Sequence, residues 1–520
     1  MRRFLLRFTS ILLTGCLLAA CHKDNSAVVP GFGFKDLKEG TVLWNTTTIE
    51  LLLPDPAAIV NASLYAGNNL VATSGKAPFS LEWNTLSVSD GSYEVRAVVT
   101  DRNGLQQEIR STIVVQNTLL HFTVKPDHLT APDGTLDRGW IFLSDQDGSL
   151  VAITEIINGA EVRLTNPIYN KGTFMLSEAY LRDAGTSLDI TSFGEVPRGN
   201  WAPAAANKEQ AVIGKLDWHF KDSLNFHPFF ASSSGDSQLF FEGGTFVQLQ
   251  LTNSPSRLFI REVGQDVNHY NLLTGLTASQ QYAGLFTDMN KPFNLQTYKS
   301  PTGTTRVGVR LYGFLAPNKF DEFYTLGAFT QYLGQVIIEY PGTEFPIYGS
   351  ENLCSATGYR INSFHPTQMI DVAPLKAEVQ FKDLSNNKAS LASFGDFDVY
   401  VMGWGYATKF TSFSWSVLGG AGRSEVVRLP DFPQQLRQVG FETFDPAKLT
   451  FAGVVQVADY EIASDYPGYL RYVSQFGYNS PYVMGKRWKE QTFSANGYTN
   501  GRTVDLDNIP TIKDRLAGKR

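Results

Sequence analysis

Two acids one residue apart, Asp396-Phe397-Asp398, are the pair in this chain best spaced for acid–base chemistry. If Gly395 to Val401 is a strand, both carboxylates project from one face, about 7 Å apart along the backbone. Cleavage of a glycosidic bond needs two such groups flanking the bond, one of them held protonated. On that same face the alternation continues through Tyr400 and Met402 to Trp404 and Tyr406. Trp415, Tyr460, Tyr466, Tyr469, Tyr472, Tyr478, Tyr482 and Trp488 follow. Flat rings match the C–H faces of sugars, and neighbouring acids hydrogen-bond hydroxyl groups. Tyr400, Trp404, Tyr406, Tyr469, Tyr472 and Trp488 are therefore the candidate ligand-binding residues, with core packing as the competing role of the same rings.

Other chemistries find less support. Asp145-Gln146-Asp147-Gly148-Ser149 offers alternating oxygens, but a calcium loop of the helix–loop–helix type needs glycine sixth and glutamate twelfth. Those positions hold Leu150 and Ile156, so the segment reads as a hairpin turn. His219 and His227 lie eight apart and lack helical metal-ligand spacing, and no metal or cofactor is expected. The G-x-S-x-G, H-E-x-x-H, P-loop and dinucleotide patterns are absent from the sequence. Cys354, with no histidine near it in sequence, reads as a small buried side chain. The Asp396–Asp398 segment is similar to the Asp-x-Asp-x-Glu strand of chitinase-like barrels, but Tyr400 stands at the acid position. No alternation of helices and strands surrounds it.

The elements that must position these residues read as β-structure. The 520 residues are 43% hydrophobic and 18% charged, with 45 glycines and 24 prolines, which excludes a disordered chain, a coiled coil or a collagen-like repeat. The length calls for several modules. Short strand-like segments with turn signals every 8–12 residues predict an all-β, multi-domain chain built of sandwich-like domains with few short helices. Alternation marks strands at Phe246–Leu251, Arg306–Leu311, Val336–Tyr340 and Phe397–Met402. Short helices are predicted from Asp431 through Val439 and from Asp465 through Phe476, the latter stopped by Gly477 and presenting Tyr469, Tyr472, Val473 and Phe476 on one face.

The N-terminus carries an address. Arg2, Arg3 and Arg7 precede a short apolar stretch from Phe8 to Ala20, too short to span a bilayer as a helix. Leu18-Ala19-Ala20-Cys21 resembles the lipobox of bacterial lipoproteins. That resemblance implies a signal peptide over 1–20 and acylation of Cys21, which would tie the chain to the bilayer. Leu13-Thr14-Gly15-Cys16 also fits, but leaves a shorter apolar run. The polar run His22-Lys23-Asp24-Asn25 is similar to the surface-export signals of Bacteroidota lipoproteins. This implies the outer membrane, with the surface-exposed and periplasmic faces both open. No later segment reaches 18 uninterrupted apolar residues, which predicts a soluble remainder. Without the three leader arginines the chain holds 41 basic and 50 acidic residues, a net charge of −9 that predicts no nucleic-acid partner.

After a tether over 21–38, the stretch 39–117 resembles a bacterial Ig-like domain. The residues that carry the resemblance are Leu64-Tyr65-Ala66-Gly67, Ala77-Pro78-Phe79-Ser80-Leu81, Asp90-Gly91-Ser92-Tyr93 and Thr100-Asp101-Arg102-Asn103-Gly104. Tyr93 would be its tyrosine-corner residue. The remainder divides on polar stretches into a β-rich domain at 118–235, a distal β-rich region of one or two domains at 236–505, and a polar tail at 506–520. The boundary is placed at Ser232–Asp236, with a second near Pro301–Gly303. The expected function is noncatalytic binding or adhesion at the cell surface, with a glycan or a surface protein as partner and the Ig-like domain as spacer. A hydrolase of polysaccharide or peptide using Asp396 and Asp398 is one alternative, and a structural part of a surface assembly is another.

Overall fold

The computed structural model describes residues 31–494, apart from 131–135, 205–211, 223–227, 235, 241–245, 265–267, 301–303, 318–322, 333, 357–358, 368, 371, 386–387, 422–423, 442 and 479–485. The fold is all-β, with one α-helix and short 3-10 turns among the described residues. Among the described residues no helix is long and apolar enough to cross a membrane. The chain divides into two compact units between Asn117 and Thr118.

The first unit is a sandwich of two sheets. One pairs Gly33–Phe34, Thr46–Leu52 and Ser80–Asn84; the other runs Val42–Leu43, Gln106–Val115, Gly91–Asp101, Ile59–Ala66, Asn69–Ser74. Alternation along the strands brings Ile49, Leu51, Leu64, Leu81, Trp83, Val95, Ala97, Val99 and Ile113 into one core. Gly67, at φ +57°, supplies the left-handed residue that the Ala66–Asn69 hairpin requires. The Asp101 carboxylate accepts from the Asn103 and Leu105 N–H groups, both at 2.8 Å, and fixes the next hairpin. The Tyr93 hydroxyl donates to the Ser89 carbonyl at 2.9 Å, and its ring meets Trp83 edge-on. Gly33–Phe34 pairs with Leu51–Leu52, so the tether expected through residue 38 ends earlier.

The second unit is organised by a twelve-stranded sheet. Its order is Leu150–Ile156, Arg138–Ser144, Thr173–Arg182, Ser187–Pro197, Ser412–Gly419, Val399–Ala407, Thr450–Tyr460, Trp488–Ser494, Tyr359–His365, Ile347–Ala356, Thr304–Phe314 and Phe323–Gln331. All neighbours are antiparallel except Ser187–Pro197 with Ser412–Gly419. Its central strands are covered on both faces: from Phe174 to Leu181 every residue is buried. On one side Ile141, Leu176, Tyr180 and Phe193 pack with Leu120, Phe122 and the helix Tyr466–Phe476. On the other, Trp140, Phe142, Met402, Trp404 and Trp415 pack with Ala389, Val427, Leu436 and Phe444. Such strands lose the in–out alternation that marks a one-sided sheet.

Two smaller sheets between residues 214 and 292 share a separate core of Leu216, Trp218, Phe229, Val247, Leu249 and Ile260. The boundary expected at Ser232–Asp236 falls inside them, in the turn joining Phe229–Ser232 to Ser237–Phe240, where the Ser233 N–H donates to the Asp236 carbonyl. The division of 118–235 from 236–505 is corrected accordingly, because strands from both ranges share the large sheet. The stretch 301–303 lies outside the described residues.

The helix α1 spans Tyr466–Phe476. The Asp465 carboxylate accepts from the Gly468 N–H at 2.7 Å, Pro467 sits in the first turn, and Gly477 at φ +83° ends the helix. The buried face is Tyr466, Tyr469, Leu470 and Val473; Phe476, expected on that face, is exposed, and Tyr472 is half-buried. The helix expected from Asp431 shortens to one 3-10 turn, Gln434–Leu436.

Candidate functional site

The strand expected to carry both aspartates is broken between them. Lys388–Gly395 belongs to a three-stranded sheet and Val399–Ala407 to the large one, so residues 396–398 form the crossing. Asp396 is exposed, and its N–H donates to the Lys376 carbonyl at 3.0 Å. Asp398 is 4% exposed; its N–H donates to the Ala458 carbonyl and its Oδ2 accepts from the Tyr460 N–H at 2.7 Å. Burial pushes the Asp398 carboxyl up to about 6 against the Tyr460 N–H bond, and Asp459 and Asp465 push the same way as burial. One carboxyl is solvated and the other is tied into the interior. The expected pair facing one side is therefore corrected.

The aromatic row is corrected for a related reason. With the large sheet covered on both faces, alternate positions on its strands lead into cores rather than to water. Tyr400 is buried across Gly419, where a Cβ would collide with its ring. Trp404 is 2% exposed and lies 5.3 Å from the Phe451 ring. Tyr469 is buried and stacks on Tyr460, and Trp488 is buried in the same core. Tyr406 is half-buried, its hydroxyl accepting from the Asp445 N–H at 3.1 Å and its ring edge-on to Phe413. Tyr472, half-buried, packs against Phe476, and burial raises its hydroxyl to about 12. Tyr460, Tyr466 and Trp415 are interior, whereas Tyr482 lies outside the described residues.

The remaining candidates fall into structural places. Asp145–Ser149 is a hairpin turn: the Gly148 N–H donates to the Asp145 carbonyl, Ser149 donates to Asp147, and Lys171 Nζ holds both Asp145 carboxylate oxygens at 2.7 Å. No group of three or more His, Cys, Asp or Glu side chains placed to hold a metal ion occurs among the described residues. Cys354 is buried in an apolar cluster, which pushes its thiol up. His219 is exposed beside Phe246. Cys21 and His227 lie outside the described residues.

Sequence reasoning passed over two buried polar networks. The Glu178 carboxylate, 1% exposed, accepts from Trp201 Nε1 at 2.6 Å, the Ala204 N–H at 2.9 Å and the Tyr180 hydroxyl at 2.9 Å. Burial drives its proton affinity up while the three donors oppose it. His128 lies 3.2 Å from the Tyr180 hydroxyl, and burial lowers its ring to about 4. Across two strands of the large sheet, Glu351 Oε2 accepts from Arg310 and from Tyr312, both at 2.9 Å. The signal for the first was one acid inside the apolar run Phe174-Met175-Leu176-Ser177-Glu178-Ala179-Tyr180-Leu181.

Comparison with known proteins identifies the first unit. Residues 36–97 match the bacterial Ig domain family, so the N-terminal unit carries one bacterial Ig-like domain. No curated protein matches the chain. Among solved structures, fibronectin(III)-like modules of Clostridium thermocellum CbhA are 16% identical, covering 16% of this chain and 93% of theirs, with a TM-score of 0.15. A Bacteroides ovatus protein, SGBP-B of a mixed-linkage glucan utilization locus, was solved in complex with a mixed-linkage heptasaccharide. It is 11% identical over 62% of this chain and 98% of its own, with a TM-score of 0.15. A tetra-tandem repeat from the extending region of a large adhesion protein is 12% identical over 74% and 97%, with a TM-score of 0.13. At these values the three likenesses carry no argument about function.

Proposed function

We propose that this chain is a lipid-anchored outer-membrane protein that binds a glycan without catalysis, with the Ig-like unit as a spacer between the acylated Cys21 and the larger unit. The observation that carries the reading is the order of parts: a lipobox-like leader, a short segment, an Ig-like sandwich, then a separate unit more than three times its length. Acyl chains on one cysteine anchor stably, since each buried CH₂ contributes about 0.8 kcal/mol. With Asp398 buried and Asp396 solvated, the Asp396–Asp398 pair does not support the hydrolase alternative. One observation favours the assembly alternative: among the described residues, the two end strands of the large sheet, Leu150–Ile156 and Phe323–Gln331, each pair on one side only.

The test has two arms. Cys21→Ala is expected to move the protein from the membrane fraction to the soluble fraction; a variant that stays membrane-bound overturns the anchor. Incubation of the leaderless protein with a polysaccharide panel is expected to give retention without released products. Released products overturn the noncatalytic reading, and retention by no member of the panel overturns the glycan.

A further inference from the structure

A second surface suits a glycan better than the rings singled out in the sequence. Gly214–Phe220 lies between Phe246–Leu251, antiparallel to it, and Gln281–Gly284, parallel to it. Alternation sends Leu216, Trp218, Phe220, Val247, Leu249 and Leu251 into the core. The opposite face is open: Lys215, His219, Phe246, Gln281 and Ala283 are exposed, and Asp217, Gln248 and Gln250 are half-buried.

Register sets these side chains side by side. His219 pairs with Phe246, Asp217 with Gln248 and Lys215 with Gln250, while Asp217 and His219 meet Gln281 and Ala283 on the other flank. The His219 and Phe246 rings lie 4.6 Å apart between centroids, and Phe246 keeps 39% of its surface exposed. Lys215 Nζ donates to Gln248 Oε1 at 3.0 Å, and Gln248 Nε2 donates to Asp217 Oδ1 at 2.9 Å. Three side chains are thus held in place before any ligand arrives, which reduces the ordering cost of binding. Three strands about 4.8 Å apart make a platform about 10 Å wide.

From this arrangement we infer that the outward face of this three-stranded sheet is a binding platform for an uncharged polysaccharide chain. The inference rests on the glycan reading proposed above and names the site for it. The exposed Phe246 ring covers the C–H face of a sugar, an apolar contact for a flat apolar patch. The side-chain amides of Gln248, Gln250 and Gln281 each offer a donor and an acceptor, and Asp217 offers acceptors, a set matched to vicinal hydroxyls. Charge decides the occupant. Lys215 and Asp217 cancel through Gln248, so the face has neither the excess of cations a polyuronate needs nor the excess of acids a basic peptide needs.

The experiment uses the leaderless full chain in affinity gels cast with mixed-linkage β-glucan, xylan or galactomannan, and with polygalacturonate as the charged comparator. Retention by a neutral polymer is expected, with Phe246→Ala weakening it about tenfold or more and Gln248→Ala about three- to tenfold. Ala283→Arg leaves the core untouched, projects a bulky charge onto the platform and is expected to abolish retention. An unchanged thermal midpoint in these variants separates lost binding from lost folding. If the wild type is retained by a neutral polymer and Phe246→Ala and Ala283→Arg are retained equally, the platform is wrong while the glycan reading stands. If only polygalacturonate retains the protein, the uncharged occupant is wrong. If nothing retains it, both readings fall.

Discussion

The two units solve one problem in opposite ways. In the Ig-like sandwich each sheet has one wet face and one dry face, so sequence alternation reports burial directly: Leu81 and Trp83 are interior, and Ser80, Glu82 and Asn84 are exposed. The large sheet of the second unit is covered on both sides, and the stretch from Phe174 to Leu181 has no wet position. Two-sided burial converts alternating aromatics from a candidate surface into two cores, and that difference is why the proposed platform lies on another sheet. The open face at Lys215–His219 alternates as cleanly as the Ig-like strands.

Four substitutions or conditions can break or sharpen this comparison. Trp404→Ala has a large expected effect, about 3–5 kcal/mol lost in urea unfolding, since a buried indole leaves a cavity. Unchanged stability would mean that Trp404 lies at a surface and that the sheet is open there. Glu178→Ala strands the Trp201 indole and the Ala204 N–H, at about 1–3 kcal/mol for each donor left without water or another partner, while the Tyr180 hydroxyl keeps the Ala204 carbonyl at 3.2 Å. Glu178→Gln, which keeps acceptor capacity, is expected to cost less, and equal losses would deny the network its role.

The pH response comes next, with two signs. Asp398, raised to about 6 from 3.8, keeps its proton when folded, so its contribution is full below about 4 and is lost as pH rises through 6. His128, lowered to about 4 from 6.5, contributes fully above 6.5 and loses that as pH falls through 4. The two oppose each other between pH 4 and 6.5. Urea unfolding of Asp398→Asn is expected to show stability rising more steeply with pH than the wild type, and that of His128→Gln to show the reverse. Identical slopes in all three proteins would contradict both burials. The smallest effect is expected in the first unit. Tyr93→Phe removes one hydroxyl bond to Ser89 and costs about 1 kcal/mol, read as a lower thermal midpoint of that unit.

Legibility followed the same division. Local chemistry was readable: Gly67 and Asp101 mark hairpins, and Asp465, Pro467 and Gly477 bracket α1 to the residue. Phe246–Leu251 was readable because one face is dry and the other wet. The crossing at Asp396–Asp398 was not, because Asp396-Phe397-Asp398-Val399 alternates as a strand would while the backbone changes sheets over residues 396–398. Nor was the parallel pairing of Ser187–Pro197 with Ser412–Gly419, since Ser187 meets Ser412 at a separation of 225 residues. Nothing local encodes such a partner; tertiary packing chooses it.

The division of labour between the units is open to one direct measurement. Retention on a neutral polysaccharide is compared for the leaderless chain and for the same chain with residues 39–117 removed, with released products scored in parallel. Equal retention and no products are predicted, the Ig-like unit being a spacer and the platform lying in the second unit. Loss of retention on removing the Ig-like unit, or products from either protein, would contradict that division.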